Sequence, residues 1–218
     1  MNVRNREIGT RLLQHAQGIV LDIGCADRWV ERSLPSHCLY YGCDSAVTGK
    51  DIYGAQPHFF ADAKQLPILD DAADTVVLLE VLEHLREPRV ALMEIVRVLK
   101  PLGVLILTMP FLYPMHDEPH DYQRYTAHGL AREMEHAGLT MERIGPSLGS
   151  SATAGLIACI AMAGAAHEAV QRRSMSLILL PLIAVGIFAT NCLAWAAEKL
   201  LPSWPSATAG YHLIARKP

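Results

Sequence analysis

Four acidic residues close four successive apolar runs: Asp22 in Val20-Leu21-Asp22-Ile23-Gly24-Cys25-Ala26-Asp27, then Asp44, Asp62 and Glu80. An apolar run that ends in a carboxylate and a Gly-containing turn is how a parallel strand presents ligand-binding groups at the carboxyl edge of a sheet. Carboxylates in series along such an edge suit a ligand that carries an ammonium or sulfonium, ribose hydroxyls and an adenine. Asp22 suits the amino group or a water network. Asp44 is placed for paired hydrogen bonds to ribose, and Asp62 to accept from an adenine amino group beside the Ala63 N–H. A nicotinamide turn requires G-x-G-x-x-G, and the three positions here hold Gly24, Ala26 and Trp29, the last too bulky for close helix–strand contact. Taken singly, each acid also reads as a helix cap or turn residue.

A second reactive set follows in Met109-Pro110-Phe111-Leu112-Tyr113-Pro114-Met115-His116-Asp117-Glu118-Pro119-His120-Asp121-Tyr122-Gln123-Arg124-Tyr125-Thr126. Histidines that titrate near neutrality suit proton removal, so His116 and His120 are the candidate bases, with Asp117 or Asp121 to orient an imidazole. Arg124, with Tyr125 beside it, suits an anionic substrate group. The alternative is that Arg124 and Asp121 pair to fix the loop. Pro114 and Pro119 oppose a helical i, i+4 ligand pair, so no metal is expected. His84 reads as packing beside the ligand pocket, with a second base as the alternative.

The elements that must position these groups can be traced along the chain. Glu7 to Ala16 reads as an amphipathic helix closed by Gly18. Strands are expected at Ile19–Ile23, Cys38–Asp44, His58–Asp62, Asp74–Glu80, Val104–Met109, Leu139–Ile144 and Gly210–Arg216, and Ser45–Pro57 reads as a loop or shortened crossover. A helix begins at Pro88 and carries Leu92, Ile95, Val96 and Leu99 at i, i+3, i+4, i+7 before Lys100-Pro101-Leu102-Gly103 stops it. Another runs from Thr126 to Ala137. Alternation of this kind means an α/β fold, a doubly wound, mostly parallel, seven-stranded Rossmann-like sheet.

In this order and spacing, Val20–Ala26, Asp44, Phe60-Ala61-Asp62-Ala63, Asp74, Leu79-Glu80-Val81-Leu82-Glu83-His84-Leu85 and Glu94–Gly103 resemble the class I S-adenosylmethionine-dependent methyltransferases of the type 11 group. The resemblance spans residues 18–145 and the final strand. It implies S-adenosyl-L-methionine as cofactor, with Gly24, Cys25 and Ala26 wrapping its methionine part. It further implies ribose at Asp44, adenine at Asp62 and Ala63, and sulfonium-side contacts near Glu80. The loop after the fifth strand resembles the His-x-x-Pro-x-Asp-Tyr-x-Arg-Tyr-Thr segment of methyltransferases from polysaccharide and cell-envelope gene clusters. That points to O-methylation of a sugar or lipid-linked precursor. The family usually has Gly where Ala26 and Arg28 stand. Ala26 fits if its φ stays negative; Arg28 either crowds or pairs with the methionine carboxylate. A binding protein of the same fold without turnover is the alternative.

A net charge of -3 leaves no basic footprint for nucleic acid. Five scattered cysteines without a Cys-x-x-Cys pair indicate a reducing compartment, and Met1–Glu7 has no apolar core of a signal peptide. The mean hydropathy of +0.19 has a local source. No charge occurs from Ser147 to Ala166 or from Ser174 to Ala197, each long enough for a bilayer core. Residues 1–146 and 208–218 are expected to form the methyltransferase domain that the resemblance implies, and 147–207 an apolar helical hairpin inserted before the last strand. Strands flank the hairpin, so both its ends lie on one side of a membrane. A spanning hairpin would carry Arg172 and Arg173 outside, against the positive-inside tendency. The expected arrangement is a cytoplasmic protein with a hairpin, residues 147–201, dipping into the cytoplasmic leaflet; helices packed on the domain or in a dimer interface are the soluble alternative.

Overall fold

The computed structural model describes residues 10–218. Ile8 and the start of the first expected helix lie outside them; Thr10–Leu13 is helical, with Leu12, Leu13 and Ala16 buried. The strands are β1 (Ile19–Ile23), β2 (Leu39–Asp44), β3 (Phe59–Phe60), β4 (Ala73–Leu79), β5 (Leu99–Pro110), β6 (Thr140–Pro146) and β7 (Gly210–Arg216). They form one seven-stranded sheet in the order β3-β2-β1-β4-β5-β7-β6. β1 pairs parallel with β2 and β4, β2 with β3, and β4 with β5. The carboxyl ends of these strands therefore share one edge. β7 runs against β5: the Leu102 N–H donates to the Lys217 carbonyl, the Lys217 N–H to the Gly103 carbonyl, and Phe111 meets Tyr211 at the other end.

The central strands are apolar on both faces because both faces are covered. On one side α2 (Pro88–Val98) and α3 (Ala127–His136) bury Leu92, Ile95, Val98, Leu130 and Met134 against Leu21, Leu78, Leu105 and Leu107. On the other, Leu12, Leu13, Trp29 and Val30 pack with Val20, Tyr40, Val77 and Ile106. Each fully buried aliphatic side chain contributes about 1.5–3 kcal/mol. Asp74 secures the opposite edge, accepting from the Ile19 N–H at 2.8 Å and from Lys100 Nζ at 2.8 Å. Gly18 is needed there: its φ is +56° and an added Cβ would sit 2.3 Å from Asp74 Oδ2.

Several boundaries differ from the sequence expectation. The Ser45–Pro57 stretch holds a helix, α1 (Thr48–Tyr53), closed by Gly54 at φ 57°. β3 is shorter than His58–Asp62 and leaves Asp62 two residues beyond it. Leu99 belongs to β5, not to the preceding helix. Lys100 precedes Pro101 and is driven out of the helical region, so the chain goes directly from helix to strand. Thr126 caps α3, its side chain accepting from the Gly129 N–H.

The chain divides into two compact units, the second comprising Leu112–Pro114 and Pro146–Gly210. In that unit α4 (Ser150–Gln171) lies along α5 (Leu180–Leu200), entered by a short 3-10 turn at Met175–Leu179. Small residues let the two helices approach: a Cβ on Gly155 would lie 2.4 Å from the Ala194 Cβ. Asn191 bonds the Ile187 carbonyl at 2.9 Å and the Cys159 sulfur at 3.2 Å. Ser150–Gln171 and Met175–Leu200 are long and apolar enough to cross a membrane. Leu182, Val185, Phe188, Leu193 and Trp195 are exposed.

Candidate active site

The turn after β1 and the end of β2 form one hydrogen-bonded unit. The Ala26 N–H donates to Asp44 Oδ2 at 2.8 Å, while Asp44 Oδ1 accepts from the Ser45 N–H at 2.7 Å. Gly24 has φ 77°, and a Cβ there would lie 2.4 Å from Val81 Cγ2, so glycine is required on both counts. Ala26 and Arg28 also have positive φ, 43° and 54°. The expectation that Ala26 keeps a negative φ is therefore overturned: the turn adopts the left-handed geometry that favours glycine, and both side chains strain it. Arg28 turns away toward Glu31 and His58, its Nη1 lying 3.2 Å from His58 Nε2.

Asp22 is buried, and its Oδ2 accepts from the Tyr40 hydroxyl at 2.8 Å. Burial raises its pKa to about 7 against the opposing effect of that bond, and Asp44 and Asp27 add to the rise. Burial next to Asp22 and Asp44 likewise pushes the Cys25 thiol up to about 12, so it stays protonated. Asp62 is exposed; it accepts from the Lys64 N–H at 2.9 Å in a tight turn, with Ala63 buried beside it. Its geometry is that of the turn-residue alternative.

Glu80 follows β4 at φ 56°, its N–H bonded to the Thr108 carbonyl at 3.1 Å. Burial raises its pKa, tempered by the Thr108 hydroxyl and by His116 and Arg124. Next comes a short 3-10 turn, Leu82–His84, which turns Glu83 fully inward. Among the described residues, both carboxyl oxygens of Glu83 are buried without a hydrogen-bond partner. Its pKa is raised by burial, then by Glu80.

The loop after β5 brings His116 to this carboxyl. Glu83 Oε1 lies 3.9 Å from His116 Nε2 and 3.7 Å from His84 Nε2, and the two imidazoles meet edge to face at 5.0 Å. His116 Nδ1 lies 3.2 Å from Asp121 Oδ2, which also accepts the His116 backbone N–H. Asp121 is itself gripped by both Arg124 Nη atoms. Burial pushes Asp121 up, but Arg124 and His116 outweigh it and hold its carboxyl below the ordinary value. Arg124 is thus engaged with Asp121. His84 Nδ1 meets the His120 carbonyl at 2.8 Å, and burial lowers the pKa of this imidazole. The His120 ring contacts Tyr122, its Nδ1 3.2 Å from the hydroxyl, and Tyr125 packs on the core. Asp117 accepts from the Tyr53 hydroxyl and lies 3.8 Å from His84 Nε2.

The structure therefore brings together Asp22, Gly24, Cys25, Ala26 and Asp44 in one constellation, and Glu80, His116 and Asp121 in another. Asp62, His120 and Tyr125 sit outside these two. Sequence reasoning missed Glu83, which reads as one more acid on a short helical turn. Its signal is a carboxylate immediately before His84 in an otherwise apolar run.

A Rossmann-like sheet with a glycine turn after its first strand and an acid closing its second defines the class of nucleotide-binding α/β domains. Residues 21–107 match the family described as a methyltransferase domain. The O-methyltransferase cnsE of Penicillium expansum is 33% identical over 132 residues, which are 52% of this chain and 46% of that protein. The chain thus spans about half the length of this curated relative. Among solved structures, the [4+2]-cyclase SpnF aligns with a TM-score of 0.61 at 22% identity, covering 98% of this chain and 80% of that one. An S-adenosylmethionine-dependent methyltransferase from Mesorhizobium loti aligns at 0.59 and 13% identity, covering 99% of each. Phosphoethanolamine N-methyltransferase 2 of Haemonchus contortus, in complex with S-adenosyl-L-methionine, aligns at 0.56 and 16%, covering 99% of this chain and 52% of its own. Residues 21–107 thus match a methyltransferase domain, and S-adenosyl-L-methionine is the cofactor that match supports. The residues present fit that cofactor: a buried Asp22 carboxyl whose hydrogen-bond partner is a neutral hydroxyl lies beside a glycine turn that a Cβ would obstruct.

Proposed function

We propose that this protein transfers a methyl group from S-adenosyl-L-methionine to a hydroxyl of a sugar or lipid-linked envelope precursor, at the cytoplasmic face of a membrane. The observation that carries the donor side is the Ala26 N–H to Asp44 bond, which locks the glycine turn to the second strand end next to buried Asp22. We assign the Gly24–Ala26 turn to the methionine part, Asp22 to its ammonium, Asp44 to ribose, Asp62 and Ala63 to adenine, and Glu80 to the sulfonium side. When bound, the cofactor supplies an electrophilic methyl: the acceptor oxygen bonds to that carbon as the carbon–sulfur bond breaks with its electron pair passing to sulfur.

On the acceptor side the protein must position a hydroxyl and remove its proton. His116 is assigned this task, taking the proton at Nε2 while Asp121 faces its Nδ1. Arg124 holds Asp121 and so positions His116. His120 and Tyr125 are left to the substrate's periphery. The O-methyltransferase relative supports oxygen as the acceptor atom. The exposed apolar helices, residues 147–201, support a lipid-linked substrate met at a bilayer surface, the base of the hairpin staying on one side.

Calorimetric titration of the full chain with S-adenosylhomocysteine tests the donor side. Saturable heat that Asp44→Ala abolishes is expected; absence of heat with the wild type refutes it. Co-sedimentation with anionic lipid vesicles tests the membrane contact, which deletion of 147–201 must remove. A second reading, a binding protein without turnover, is favoured by the strained Ala26 and Arg28. Methyl transfer that is lost in Asp44→Ala would dismiss it.

A further inference from the structure

We propose that Glu83, His84 and His116 form a site for one divalent transition-metal ion that holds the acceptor hydroxyl. The inference deepens the acceptor side of the reading above and rests on it only for the substrate. The three ligand atoms all lie within 4.8 Å of one another. Glu83 is fully buried, with both oxygens unpartnered among the described residues, and Oε1 approaches two imidazole Nε2 atoms at 3.7 and 3.9 Å. Those separations are too long for hydrogen bonds. They are close to the distance of about 3.4 Å that separates ligands around a tetrahedral ion with bonds of ~2.1 Å.

The imidazoles are oriented as metal ligands are. His84 Nδ1 faces a carbonyl at 2.8 Å, which can only accept, so the ring proton is on Nδ1 and Nε2 carries a lone pair toward Glu83. Asp117 Oδ2, which accepts from the Tyr53 hydroxyl, is 3.8 Å from the same Nε2. His116 Nδ1 faces the Asp121 carboxylate at 3.2 Å, and Arg124 braces that carboxylate. A histidine whose second nitrogen is held by a carbonyl or carboxylate is the usual arrangement around a bound metal. Glu83 Oε1 and the lone pair on His84 Nε2 face one another as acceptors at 3.7 Å, and a cation between them removes their repulsion. Two nitrogens and a carboxylate favour zinc, cobalt or manganese over magnesium or calcium.

Open coordination positions would take the acceptor hydroxyl. The ion then lowers the hydroxyl's pKa, the proton leaves to solvent, and the resulting alkoxide attacks the methyl carbon. In this form His116 serves as a ligand, replacing its role as proton acceptor.

The test uses the full chain, stripped with chelator and dialysed against buffered zinc sulfate, with bound metal counted by plasma mass spectrometry. One equivalent is expected, with magnesium sulfate failing to compete. Glu83→Gln and His116→Ala should each weaken zinc binding at least about 100-fold, while circular dichroism shows them folded. Cobalt in place of zinc should give visible absorption bands that both variants lose. No uptake, or uptake unchanged in both folded variants, overturns the inference. Zinc binding without S-adenosylhomocysteine heat upholds the site while removing the methyl-donor reading; the converse result overturns the site alone.

Discussion

Replacing Asp22 by Asn should change how stability depends on pH. The carboxyl rises from 3.8 to about 7 in the folded protein because burial disfavours its charge, with Tyr40, Asp44 and Asp27 facing it. Between these values the folded state holds a proton that the unfolded chain has released. Stability therefore falls as pH climbs from about 4 to 7 and levels off above, the reverse of a salt-bridged carboxylate. Three units at ~1.36 kcal/mol each make the full effect about 4 kcal/mol. Between pH 5 and pH 8 the portion lost is about 3 kcal/mol. Asn keeps an oxygen for the Tyr40 hydroxyl and cannot ionise, so Asp22→Asn carries no such slope from this position. Glu80 and Glu83 are also raised, but they titrate in both proteins and cancel in the difference. Urea unfolding of both proteins at intervals from pH 5 to 8.5 measures the gap. It should widen in favour of the variant by about 3 kcal/mol. A gap independent of pH would refute the argument that Asp22 is buried without a compensating cation.

Other consequences follow from the same geometry. Ligand binding through an ammonium at Asp22 should expel its proton, so S-adenosylhomocysteine titrated at pH 6 in buffers of different ionisation enthalpy should show release of close to one proton. Ala26→Gly and Arg28→Gly should each stabilise the protein by roughly 0.5–1 kcal/mol, because relief of left-handed strain outweighs the entropy of an added glycine; thermal melts read this as a rise in Tm. Gly24→Ala should destabilise strongly and abolish cofactor binding; adding Val81→Ala should recover the part due to the clash and leave the part due to φ. Asp121→Asn should cost on the order of 3–5 kcal/mol, since it removes the carboxylate charge from a largely buried ion pair with Arg124, and denaturant melts would show it.

The strand and glycine turn at the start of the sheet were legible in the residues. Val20-Leu21-Asp22-Ile23-Gly24 is a strand whose apolar character and terminal acid require no tertiary information, and β1 and β7 lie at Ile19–Ile23 and Gly210–Arg216 as expected. The helix at Thr48–Tyr53 was hidden because it is two turns of mostly polar and small residues without an apolar stripe. Asp62 read as a strand end, but its carboxylate bonds the nearby Lys64 N–H, a competition that short acidic side chains offer in turns.

Local sequence therefore determined the alternation of strands and helices, the glycine turn and the series of acids, because these follow from side-chain period and backbone freedom. It also marked the apolar hairpin through length and lack of charge. Only the tertiary structure decided which acids lose water. Glu83 and Glu80 look alike along the chain, yet one reaches a hydroxyl on β5 and the other lies unpartnered between two imidazoles. His116 meets Glu83 because parallel pairing of β4 and β5 carries both loops to the same sheet edge. Desolvation depends on what packs around a group in space, and neighbours in sequence do not report it.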